Sequence, residues 1–111
     1  MPAPVEVLPG RHGEDRVLRF EGPLTLASLP EIQPLLREDT AGSTILDLAR
    51  VPYMDSAAVG MLVAFHVSCQ RAGRPYAVTA VSDRILKMLT VCRVNRILTI
   101  YPTVEDADAR L

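Results

Sequence analysis

The run TILDLARVPYMDSAAVGMLVAFHVSCQRAGRP, residues 44–75, constrains the fold more than any other part of this chain. It opens on Ile45, Leu46 and Leu48, an apolar run that does not alternate cleanly with polar residues and so reads as a strand buried on both faces. Two small polar residues, Asp55 and Ser56, follow at once. Residues 57–72 then carry apolar side chains on two stripes: Ala58, Met61, Leu62 and Phe65 on one, Val59, Val63 and Val67 on the other. Such a helix is either deeply packed or keeps an apolar edge for a partner. Gly73 closes it and Pro75 follows, as helix ends prefer. A doubly buried strand feeding a helix is the repeating unit of a parallel sheet with right-handed crossovers.

The rest of the chain continues the alternation. VEVLP and RVLRFEG read as two strands around the polar turn GRHGED, with Val17 alternating against Arg16 and Arg19 and Phe20 leaving the sheet. SLPEIQPLLRED reads as a helix with Ser28 and Glu31 at capping-box spacing and an inward stripe of Ile32, Leu35 and Leu36. Pro34 argues for a start later than Ser28. PYAVTAV is a further strand, SDRILKMLTVCRV a helix capped by Ser82 with Ile85, Leu86 and Leu89 inward, RILTIY a last strand, and TVEDADARL a short helix capped by Thr103. The fold class is α/β: one domain over residues 1–111, with a mixed sheet because of the extra strand pair at the start.

Composition excludes several functions. A net charge of −1 gives no general attraction to nucleic acid or to an anionic membrane. No apolar run approaches the roughly 18 residues of a membrane span, and MPAPVEVLPGRHGEDR lacks the features of a signal peptide. The expectation is a cytoplasmic protein in which Cys69 and Cys92 are two buried free thiols. No phosphate-cradling glycine loop is visible, and the cysteines and histidines are too scattered for a metal site. Neither His12, in a turn, nor His66, in mid-helix, has the positioned partner that nucleophilic catalysis needs. No cofactor is expected, and the chain does not read as an enzyme. Glu14, Asp15, Glu38 and Asp39 fall in or beside turns and read as solvated. Arg84, Lys87, Arg93 and Arg96 read as the wet face of a helix and its following loop, or as a patch that meets an acidic partner.

Asp55 and Ser56 both belong to the residue types that cap helices, accepting from the free N–H groups of the first turn, and either could do so here. The same place suits a switch. A phosphate on Ser56 would lie near unpaired N–H donors and the positive end of the helix dipole, adding about −1.5 to −2 charges.

The stretch from TILDLARVPYMDSAAVG to SDRILKML closely resembles the STAS domain of anti-sigma factor antagonists, which show an LDL-like strand end, a linker such as V.FMDSSGLG, and then this helix. The resemblance runs on through LTVCRVNRILTIYPTVEDA and, more weakly, back to LRFEGPLTLASLPEI; residues 45–62 are its most specific part. It implies a bacterial regulator that acts by partner switching. The unphosphorylated protein binds an anti-sigma factor that is also a serine kinase and so frees a sigma factor. Phosphorylation of Ser56 ends the binding, and a phosphatase restores it. The contact residues implied are Asp55, Ser56, Val59 and Met61. Two departures stand out: Ala57 and Ala58 replace the family's second hydroxyl and glycine, although Gly60 is kept, and GPLT at residues 22–25 replaces GELD, so that Thr25 stands where an acidic residue is usual. The family also includes docking subunits of stress-sensing and lipid-transport assemblies, which GPLT fits, and some members are reported to bind nucleotides.

Overall fold

A computed structural model of the chain describes residues 5–38 and 42–111. Five strands form one sheet in the order β1-β2-β3-β4-β5: β1 Val5–Pro9, β2 Arg16–Glu21, β3 Thr44–Arg50, β4 Tyr76–Thr79 and β5 Ile100–Tyr101. Four helices complete the domain: α1 Leu29–Arg37, α2 Ser56–Ala72, α3 Asp83–Val91 and α4 Val104–Arg110. β1 pairs antiparallel with β2, and every later pairing is parallel. The expected mixed α/β sheet is therefore present.

Strand alternation sorts the core into two layers. Leu18, Leu46, Leu48 and Val78 face one side, where they meet Ile32 and Leu36 of α1, Leu62 and Phe65 of α2, and Ile85 and Leu89 of α3. Val17, Ile45 and Ala77 face the other, where Ala107 of α4 packs on them. The apolar run of β3 is thus buried from both sides, as its lack of alternation predicts.

Several local expectations are corrected. Phe20 does not leave the sheet: it pairs with Val5 and is fully buried. α1 begins directly after Ser28 and holds Pro34 on its exposed side. The Ser28–Glu31 capping box does not form, because Ser28 already has helical angles (φ −90°, ψ −15°) and no side-chain cap bond; its Oγ instead accepts from the Thr25 N–H at 2.9 Å. The inward stripe of α1 is Leu29, Ile32 and Leu36, with Leu35 only half-buried. On α3, Leu86 points outward. β5 has only two residues, since the chain from Val94 to Leu98 turns back on itself through Ile97 and Leu98 N–H bonds to the Val94 carbonyl. Cys92 is exposed while Cys69 is buried, both as free thiols.

Two of the carboxylates read as solvated do structural work at the edge where the parallel strands begin. Asp15 Oδ1 accepts from the Ser43 N–H at 2.8 Å, and Glu38 pairs with the buried Arg16 at 3.1 Å. Asp39 lies outside the described residues. Gly42 is required here: a Cβ on it would stand 2.5 Å from the Glu14 carbonyl carbon and 2.6 Å from the Asp15 nitrogen.

Candidate functional site

At the opposite edge, where β3 ends, the chain passes through Val51–Met54 and turns into α2. Asp55 is the N-cap, extended at φ −97° and ψ −179°, and this decides between the two capping candidates. Its Oδ1 accepts from the Ala58 N–H at 3.0 Å. Its Oδ2 accepts from the Leu26 N–H, also at 3.0 Å. One carboxylate therefore starts the helix and ties down the loop that follows β2. The backbone repeats that tie: the Asp55 N–H donates to the Leu24 carbonyl and the Leu24 N–H to the Tyr53 carbonyl, each at 3.1 Å, in a short parallel bridge between Leu24 and Met54. The donated Ala58 and Leu26 N–H bonds hold the Asp55 carboxyl below its ordinary range, because each favours the charged form.

With the cap taken by Asp55, Ser56 occupies the first helical position and its side chain is exposed. The other residues expected to make contacts are placed differently. Val59 and Met61 face inward, 5% and 6% exposed, within the larger core layer. Val59 packs into the main core layer at the start of its stripe, while Val63 farther along is half-buried and Val67 exposed, and Met61 lies where α2 meets α1. Met61 reaches the surface only at the floor of a shallow notch of about 180 Å³ that it shares with Leu36 and Phe65. Over its first three turns α2 offers solvent the small residues Ser56, Gly60 and Ala64, and beyond them Val67, Ser68, Gln70, Arg71 and Ala72.

Sequence reasoning did not single out Leu26 and Tyr53, which stand beside this junction 69% and 39% exposed. The Arg84 guanidinium lies over the Tyr53 ring at 5.2 Å, a cation–π contact. The result is a surface with a serine hydroxyl, two exposed apolar side chains and a cation. The signal for it was the GPL triplet, whose Gly22 (φ 77°) turns the chain after β2 so that Leu24 can run beside Met54. Among the described residues no three His, Cys, Asp or Glu side chains form a metal-holding group, and no helix is long and apolar enough to cross a membrane.

A family model for the STAS domain matches residues 7–107. The chain is a STAS domain protein. Its structure is similar to that of an anti-sigma factor antagonist from Mycobacterium paratuberculosis (TM-score 0.80, 17% identity, 99% of this chain and 96% of that one). It is similar also to the antagonist SpoIIAA in its unphosphorylated form (TM-score 0.71, 18% identity, 96% of each chain). A sulfate transporter family protein from Wolinella succinogenes matches as well (TM-score 0.75, 22% identity, 87% of this chain and 84% of that one). At these identities the likeness is one of fold, and this STAS fold is shared by regulators and transporter-associated proteins.

Proposed function

We propose that this STAS domain is a cytoplasmic, non-enzymatic anti-sigma factor antagonist of a bacterium that works by partner switching, with Ser56 as the phosphorylated residue. Its partner is an anti-sigma factor with serine kinase activity, and a phosphatase resets the switch. The observation that carries the reading is the division of labour at the start of α2. The Asp55 carboxylate supplies the cap and, with the Leu24–Met54 bridge, the loop tie, so the Ser56 side chain is left exposed and can be modified without unmaking the helix.

The physical effect follows from charge. A phosphate on Ser56 is accommodated by the helix N-terminus, yet it sets about −1.5 to −2 charges next to the ionised Asp55. A partner that covers Leu26 and Tyr53 would then have to desolvate two adjacent anions, and release is the cheaper outcome. Asp55 and Ser56 are the direct contacts in this reading. Val59 and Met61 contribute by fixing the angle of α2, and Met61 also by flooring the notch beside α1.

Thr25 in place of an acidic residue, together with the transporter-family neighbour, favours a second reading: a docking module with no phosphoswitch. Intact-mass spectrometry and phosphosite mapping of the protein from its own host separate the two. One phosphate on Ser56, and weaker binding of Ser56→Asp than of wild type to the purified anti-sigma factor, are expected. No phosphate under any growth condition leaves Asp55 and Ser56 as a helix start and makes docking the function.

A further inference from the structure

α3 ends in a Schellman turn: the Val94 N–H donates to the Leu89 carbonyl and the Arg93 N–H to the Thr90 carbonyl, each at 3.0 Å. α2 ends in the same motif, with the Arg74 N–H on the Cys69 carbonyl at 2.9 Å. There the left-handed residue is Gly73, at φ 67°. In α3 it is Arg93, at φ 61°, where any residue with a Cβ is under steric strain. The side chain of Arg93 is exposed, so no buried packing offsets that strain.

Arg93 lines a surface hollow of about 360 Å³ with Thr90, Asn95 and Arg96, and no carboxylate is among its lining residues. Arg16, Arg19 and Arg50 each have a carboxylate partner; Arg93 and Arg96 have none among the described residues. Thr90 donates its hydroxyl proton to the Leu86 carbonyl at 2.8 Å. The free donors of the hollow are therefore two guanidinium forks and the Asn95 amide. A cation after a helix complements the dipole, but the Met88, Leu89 and Thr90 carbonyls at the end of α3 already accept from the N–H groups of Cys92, Val94 and Arg93, and that role does not call for two guanidiniums.

We propose that this hollow binds a phosphoryl group. Two guanidiniums and an amide present more donors than the two oxygens of a carboxylate use, and they suit the three terminal oxygens of a phosphate monoester. The volume leaves room for the rest of the molecule, which is either a free phosphorylated compound or a lipid headgroup. Because the parallel strands begin at this edge and Ser56 lies at the other, the site is separate from the partner switch.

The test is a titration of the ¹⁵N-labelled protein at fixed ionic strength, with inorganic pyrophosphate in one arm and phosphatidic acid vesicles in the other. Amides of residues 90–96 and the Arg93 and Arg96 side-chain N–H signals report binding. Saturable shifts confined to these residues, with a Kd below about 1 mM, are expected in one arm and identify the source. Arg93→Gly keeps the left-handed turn and the fold while removing one guanidinium, and is expected to weaken binding by roughly tenfold or more. Shifts that do not saturate in either arm, that spread equally over other exposed arginines, or that survive Arg93→Gly unchanged overturn the proposal.

Discussion

Removing one oxygen from Tyr76 probes how α2 is held on the sheet. The hydroxyl of Tyr76 lies 2.6 Å from His66 Nδ1 on α2 and accepts the Thr99 N–H at 3.1 Å. The direction of the His66 bond follows the imidazole tautomer, since a hydroxyl with two lone pairs can accept from Thr99 and still either give a proton to Nδ1 or accept from it. Tyr76→Phe deletes both bonds but keeps the ring, which meets Phe65 edge-on at 5.5 Å. Each bond contributes about 1 kcal/mol net, and a buried group left unpaired costs about 1–3 kcal/mol. A surface hollow of about 230 Å³ lined by His66, Gln70, Tyr76 and Thr99 lets water re-enter and holds the cost to the low end. The expected loss is about 2 kcal/mol, or roughly 8–10 °C in melting temperature for a domain of this size. Urea unfolding followed by circular dichroism measures it, and a double-mutant cycle with His66→Leu should return a coupling of about 1 kcal/mol. The wild type carries a second signature. Burial raises the Tyr76 phenol above its ordinary value, against the opposing Thr99 bond. The stability this gives is fully present below about pH 10 and is lost as pH rises through the folded-state value. Tyr76→Phe should lack that alkaline loss. A stability change under about 0.5 kcal/mol, with an unchanged alkaline profile, would refute the reasoning.

Asp55 should leave an acid signature of opposite sign. Its carboxyl is lowered by the Ala58 and Leu26 N–H bonds, so its contribution is present above about pH 4 and is lost as pH falls through the folded-state value; in Asp55→Asn, unfolding midpoints from pH 5 to pH 2 should fall less steeply than in wild type. Gly42→Ala should destabilise by about 1–3 kcal/mol, since its Cβ must push the backbone of Glu14 and Asp15 aside; a wild-type urea midpoint would show that this edge yields freely. Cys92 should react with a maleimide in the native protein and Cys69 only on unfolding, because one thiol is exposed and the other buried; rapid double labelling under native conditions would contradict the packing of α2.

The order of elements was legible because each rests on local signals. Asp55, Ser82 and Thr103 all cap the helices that follow them, and Gly73 ends α2 in the left-handed conformation its position implies. The capping box at Ser28 failed for a non-local reason: the loop from Gly22 to Leu26 is drawn onto the β3–α2 junction, and Ser28 is used to close that loop on Thr25. Leu86 was misplaced because α3 is covered from one side only, so its apolar stripe is narrower than its sequence allows.

By itself, then, the sequence determined the alternation of strands and helices, the double burial of β3 and the position of Ser56 at a helix start, since periodicity and capping act within a few residues. Tertiary structure alone decided that Asp55 rather than Ser56 is the cap, because the second claim on that carboxylate is the Leu26 N–H, 29 positions away. It likewise decided that Val59 and Met61 are core rather than surface. A helix apolar on two stripes exposes whatever part finds no neighbour: Met61 meets α1 and Val59 joins the main core layer, whereas Val67, on the same stripe as Val59, stays 39% exposed.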